Sequence, residues 1–156
     1  MEALEVTLEL LVLGLLATAA YIDSKTQRIP NQLNLSLLVC GLLSCFIMHQ
    51  VTPLSHLIGL FCVSVPMLGI ALLFPGAFGM GDVKLMGACG LFLGWERILV
   101  AALIGIIIGG VQGVYYLLFK KKGRKERFAF GPALCIGIVV AMFGGFAVFD
   151  SFLGFS

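Results

Sequence analysis

The sequence predicts an all-α, polytopic membrane protein with six transmembrane helices. Of its 156 residues, 60% are hydrophobic and only 12% are charged, and the mean hydropathy is +1.11, which is far more apolar than a soluble domain. A spanning helix needs about 20 mostly apolar residues. The gaps between charges give six such segments: 4–22, 33–48, 57–75, 83–95, 98–119 and 128–150. No linker divides the chain, so we expect a single domain over 1–156.

The six segments differ in length and in composition. The opening residues carry Glu2, Glu5 and Glu9 rather than a basic start, so we expect the first segment to be retained and not cleaved as a signal peptide. Segment 33–48 is slightly short, and 83–95 is the weakest, since only Leu85 to Trp95 is uninterrupted. The last three segments carry small residues four apart, a spacing that lets helices approach closely in lipid. They are Gly90 and Gly94; Gly105, Gly109 and Gly113; and Ala133, Gly137, Ala141 and Gly145.

The basic residues predict the orientation in the membrane. All but one of the ten lysines and arginines lie in the loops 23–32, 76–84 and 120–127, and Arg97 is the exception. Short loops rich in lysine and arginine stay in the cytoplasm, so both termini are expected outside. The run at 120–127 is therefore interpreted as a topology signal rather than as a lipid or nucleic-acid patch, and no nucleic-acid partner is expected.

Two aspartates, Asp23 and Asp82, lie at the edges of apolar segments. Ionisable groups at bilayer level are costly and are candidates for function. Both are predicted at the cytoplasmic boundary, Asp23 after the first span and Asp82 before the fourth, where the carboxyls could share a proton. One would activate a water molecule and the other would donate to a carbonyl oxygen. The alternative for Asp23 is a helix-end residue paired with Lys25 or Arg28.

The residues around Asp82 add two expectations. Gly79 and Gly81 can adopt positive φ and admit another backbone, which would place the carboxylate and dock an extended peptide. Lys84 is expected near the site, where its charge would favour ionised Asp82, or it serves only as a cytoplasmic basic residue.

The sequence predicts neither a metal nor a cofactor. The five cysteines lie in apolar stretches without a Cys-x-x-Cys pair. His49 and His56 are seven residues apart, which matches no familiar metal motif, and they are interpreted as interfacial loop residues.

Three motifs follow one another along the chain: Asp23 with Arg28-Ile-Pro-Asn31, Gly79-Met-Gly-Asp-Val-Lys-Leu85 and Phe130-Gly-Pro-Ala133. Together they resemble the bacterial type IV prepilin peptidases. The resemblance implies a membrane-embedded aspartyl endopeptidase whose catalytic dyad is Asp23 and Asp82, with Arg28, Pro30, Asn31, Gly79, Gly81 and Lys84 as supporting residues. It also implies a prepilin substrate with its apolar segment in the bilayer, cleaved at the cytoplasmic face of the inner membrane after a leader ending in glycine.

One departure from the larger family members narrows the resemblance. Those proteins carry a cytoplasmic insert with paired Cys-x-x-Cys motifs and also N-methylate the new pilin terminus. This sequence lacks the insert, so it resembles the short peptidases of tight-adherence (Flp-type) pili, and methylation is doubtful. The alternatives are an archaeal-type preflagellin peptidase and a non-enzymatic transporter or assembly scaffold whose aspartates bind a cation.

The predicted orientation can be tested with single cysteines in a variant freed of the native five. A cysteine at Lys122 should resist an impermeant thiol reagent in intact cells because its loop is cytoplasmic, whereas one at Glu96 should react. Membrane permeabilisation should expose both and is the control. If only the cysteine at Lys122 reacted in intact cells, the orientation would be the reverse of the predicted one.

Overall fold

A computed structural model describes residues 2–47, 51–74, 78–119 and 129–153. The basic run 120–127 and His49 lie outside these residues. Within them the chain forms α-helices and no strand, which confirms the all-α class. The helices are α1 (Glu2–Thr26), α2 (Asn31–Ile47), α3 (Pro53–Cys62), α4 (Ser64–Leu73), α5 (Met80–Leu93), α6 (Trp95–Phe119) and α7 (Gly131–Leu153).

The third predicted span is two helices rather than one. It breaks at Val63, which separates α3 from α4. Pro66 explains the break, since proline has no amide hydrogen to donate to the carbonyl four residues earlier, that of Cys62. The α4 helix restarts with a hydrogen bond of 3.1 Å from the Met67 amide to the Val63 carbonyl.

Three described segments are long and apolar enough to cross a membrane: Ala3–Thr26, Pro53–Leu73 and Trp95–Tyr116. The α5 helix has 14 residues, and α2, α3, α4, α6 and α7 all contact it. Its side chains are buried from Val83 to Leu93 except Lys84. The weak fourth segment is therefore the central helix of the bundle, and protein rather than lipid surrounds it.

Glycines allow the closest helix contacts, as the small-residue spacing predicts. A Cβ atom on Gly59 of α3 would overlap the carbonyl of Gly90 on α5, and one on Gly90 would overlap that of Gly59. Between α6 and α7, a Cβ on Gly137 would collide with the carbonyl of Ala101, and one on Gly105 would lie 2.8 Å from the Leu134 side chain. These contacts draw α3 against α5 and α7 against α6.

The predicted positions of the two aspartates relative to their helices are wrong by a few residues. Asp23 lies within α1 rather than after it, and Asp82 lies in the first turn of α5 rather than before it. An apolar stretch marks where a helix leaves the bilayer, not where its hydrogen bonds end. Here α1 continues to Thr26, whose hydroxyl bonds to the Ile22 carbonyl at 2.9 Å.

Candidate active site

The Asp23 carboxyl is buried, with 4% of the residue exposed, and the amide of Gly131 donates a hydrogen bond of 3.0 Å to its Oδ2. Gly131 is the first residue of α7, and the first amides of a helix have no partner within it. The helix dipole also favours negative charge at this end. The predicted alternative, pairing with Lys25 or Arg28, is not what holds Asp23: both side chains are exposed.

The Asp82 carboxyl is bound in the same way at another helix start. It is 7% exposed, and the amide of Gly79, the N-cap of α5, donates to its Oδ2 at 3.3 Å. An acidic residue three positions after the N-cap commonly binds that amide. Gly79 does not use the positive φ that glycine can adopt, since its φ is −73°.

Gly81 admits a close neighbour, as predicted, and that neighbour belongs to the same chain. A Cβ atom on Gly81 would lie 3.1 Å from Cβ of Ile29, in the connection between α1 and α2. The missing side chain therefore lets this connection pack directly on the first turn of α5.

The two carboxyls lie close enough to interact electrostatically, and a pair of aromatic rings links the turns that bind them. Phe78 and Phe130, each one residue before an amide donor, make an edge-to-face contact with ring centroids 5.3 Å apart. The Phe130 ring occupies the space where a side chain on Gly109 of α6 would lie. The fold thus brings Asp23 and Asp82 together from α1 and α5.

The polar residues of the supporting motif lie at the rim of this site. The Lys84 ammonium donates to Oδ1 of Asn31 at 3.0 Å, and both side chains are exposed. Its hydrogen bond therefore goes to α2 rather than to Asp82. The Pro30 carbonyl accepts the amides of Leu33 and Asn34 and so begins α2. The Arg28 side chain is exposed, and its carbonyl accepts the Thr26 hydroxyl at 3.0 Å.

Three residues make contacts that the sequence did not predict. The role of Gly131 depends on a contact across 108 residues. Asn34 is buried on α2, where its Nδ2 donates to the Gly81 carbonyl. His56, expected in an interfacial loop, is fully buried on α3, with its Nδ1 2.6 Å from the Leu91 carbonyl oxygen.

Comparison with known proteins places the chain in a family. The profile of the type IV leader peptidase family matches residues 10–114. The chain belongs to this family. The resemblance to type IV prepilin peptidases is thereby confirmed. No solved structure matches the chain significantly.

Several bacterial relatives in the type IV leader peptidase family carry the name prepilin leader peptidase/N-methyltransferase. The Legionella pneumophila protein is 32% identical over 94% of this chain and 53% of its own length. That of Pectobacterium carotovorum subsp. carotovorum is 34% identical over 85% of this chain and 50% of its own. The Aeromonas salmonicida protein is 30% identical over 87% of this chain and 48% of its own. The chain thus spans about half the length of these relatives.

The contact between α7 and Asp23 predicts the effect of a single methyl group. A Cβ atom at Gly131 would lie 2.5 Å from Oδ2 of Asp23, so Gly131→Ala should displace the carboxyl or the start of α7. We expect a loss of stability of about 1–3 kcal/mol, typical of overpacking at a buried site, measured by thermal unfolding in detergent.

Gly144→Ala on the same helix is the matched control, because nothing lies within 4 Å of its Cβ position. It should not lower the melting temperature. Equal melting temperatures for the two variants would show that α7 does not press on Asp23.

Proposed function

We propose that this protein is a membrane-embedded aspartyl endopeptidase that cleaves the leader peptide of type IV prepilins. The observation that carries the proposal is the pair of buried, interacting carboxyls of Asp23 and Asp82 in a chain of the type IV leader peptidase family. The names of the relatives supply the substrate class. Family membership also favours an enzyme over the transporter or scaffold that the sequence alone left open.

The proposed chemistry needs one proton shared by two carboxyls. Two like charges at short range disfavour each other, so such a pair tends to hold a single proton between its members. The ionised aspartate takes a proton from water, and the oxygen of that water attacks the scissile carbonyl carbon. The protonated aspartate donates its proton to the carbonyl oxygen, which gives a neutral tetrahedral diol.

The second half of the reaction returns the protons. The carboxyl that gained the water proton donates it to the amide nitrogen, and the C–N bond breaks. The diol gives up one hydroxyl proton to the other carboxylate, which leaves a carboxylic acid on the leader and a free amine on the pilin. The amides of Gly131 and Gly79 each bind one carboxylate Oδ2, so each aspartate keeps its other oxygen for water or substrate.

The site is proposed to face the cytoplasm at the boundary of the inner membrane. Arg28 lies in the connection between α1 and α2, Lys84 lies near the start of α5, and both are exposed. Basic residues beside membrane spans favour the cytoplasmic side. A prepilin whose apolar segment is in the bilayer would present its leader junction at this level. We propose that Arg28, Asn31 and Lys84 at the rim contact that junction, and that Pro30, Gly79 and Gly81 shape the turns beneath it.

Three finer features stay predictions from the sequence: an Flp-type pilus as the source of the substrate, the doubt about N-methylation, and the archaeal-type preflagellin as an alternative substrate. A mass measurement of the cleaved pilin would decide methylation directly, because one methyl group adds about 14 Da to the new N-terminus.

The dyad predicts the effect of removing either carboxyl. Asp23→Asn and Asp82→Asn should each reduce cleavage of a co-expressed prepilin by at least about a hundredfold, the usual size of a lost acid or base, while the protein stays in the membrane. Immunoblotting of precursor and mature pilin measures the effect.

Glu5→Gln, on the same helix as Asp23, is the control and should cleave normally. Near-normal turnover by either asparagine variant would rule out the two-carboxyl mechanism.

The mechanism also predicts that cleavage does not require a metal. Among the described residues, no three side chains of His, Cys, Asp or Glu are placed to bind an ion together. Activity of the purified protein should therefore survive EDTA. Loss of cleavage with EDTA and its recovery with zinc would point to a zinc-activated water instead.

A further inference from the structure

The α2 helix carries a buried polar side chain that packing alone does not explain. Asn34 is 6% exposed, and its Nδ2 donates to the Gly81 carbonyl at 3.2 Å. Its Oδ1 is buried and has no hydrogen-bond partner among the described residues. An unpaired buried oxygen lowers stability, whereas leucine of nearly the same shape would avoid that cost. The asparagine therefore serves something other than packing.

The hydrogen bond from Asn34 reaches the peptide group that carries Asp82. The Gly81 carbonyl and the Asp82 amide belong to one peptide plane, so fixing the carbonyl fixes the direction in which Asp82 leaves the backbone. Glycine has no side chain with which to fix this plane itself. The orientation of the carboxamide is also determined, because reversing it would oppose two acceptor oxygens.

A second contact from the same part of the chain supports this role. Ile29, which is 7% exposed, packs on Gly81 from the connection that leads into α2. Ile29 limits how closely the turn can approach, and Asn34 limits how it can rotate.

We propose that Asn34 is a positioning residue for Asp82: its carboxamide holds the Gly81–Asp82 peptide so that the Asp82 carboxyl stays directed toward Asp23. This inference rests on the proposed function for its catalytic consequence. Asn34 acts on Asp82 through the backbone, because its carboxamide bonds to the Gly81 carbonyl rather than to a carboxyl.

Ser44 provides a matched control on the same helix. Its hydroxyl is fully buried and donates to the Gly41 carbonyl at 2.7 Å, with the Phe92 carbonyl at 3.5 Å. Phe92 lies at the opposite end of α5 from Asp82. Ser44→Ala thus removes a buried polar group between the same two helices, far from the candidate site.

The first test measures the turn without any substrate. In Asn34→Leu, amide hydrogen exchange in a peptide covering residues 79–85 should be at least about threefold faster than in the wild type, because the turn loses a restraint. Asn34→Asp keeps the shape but replaces the donor with an acceptor, so it should behave alike. Ser44→Ala should leave this peptide unchanged. Unchanged exchange in both Asn34 variants would overturn the proposal, whatever the protein cleaves.

The second test measures cleavage of a purified prepilin in detergent. Both Asn34 variants should lower kcat by roughly ten- to a hundredfold, the effect of a small misplacement of a reacting group. KM should change by less than about twofold, and Asn34→Leu should melt no lower than the wild type. A raised KM with unchanged kcat would assign Asn34 to substrate binding and overturn the positioning role. If the wild type cleaves no prepilin, the proposed function fails, and the exchange result still decides whether Asn34 holds the turn.

Discussion

The buried carboxyls of Asp23 and Asp82 each accept a hydrogen bond from a glycine amide at the start of a helix, and the surrounding fold keeps those two amides in place. A carboxyl removed from water is costly unless it is hydrogen-bonded, and the first amides of a helix lack partners of their own. The bonds from Gly131 to Asp23 and from Gly79 to Asp82 give each buried carboxyl a donor and each helix-start amide an acceptor. The bond from Gly131 joins residues 108 positions apart, and the bond from Gly79 lies within a single turn.

The packing of the other helices follows from this arrangement. For Gly131 to reach Asp23, α7 must lie beside α1, and the Phe130 ring before it must find space against α6. Gly109 leaves that space. On the other side, Gly59 and Gly90 let α3 approach α5 until their backbones meet. A short helix such as α5 can be almost fully buried because neighbouring helices surround it and pack on its apolar side chains.

The sequence predicts most of the helical segments and singles out the two aspartates, but it does not predict what surrounds them. Composition alone indicates where apolar helices lie, and an acidic residue beside such a segment is conspicuous because it is costly there. The break at Val63 was readable in principle, since Pro66 is visible in the sequence. The partner of Asp23 was not readable, because the amide of Gly131 looks like any other and is 108 residues away. Asn34 was hidden for a similar reason: only the fold shows that its side chain points inward.

The donors that hold the carboxyls belong to the main chain, and this determines which changes the protein can tolerate. Replacing a side chain cannot delete a backbone amide unless the new residue is proline. Substitutions that remove side-chain atoms therefore leave these two donors in place, whereas substitutions that add atoms can displace them. A scan that shortens side chains to alanine would leave these two bonds untested, because Gly79 and Gly131 have no side chain to shorten. Larger residues at these two glycines would test the bonds directly.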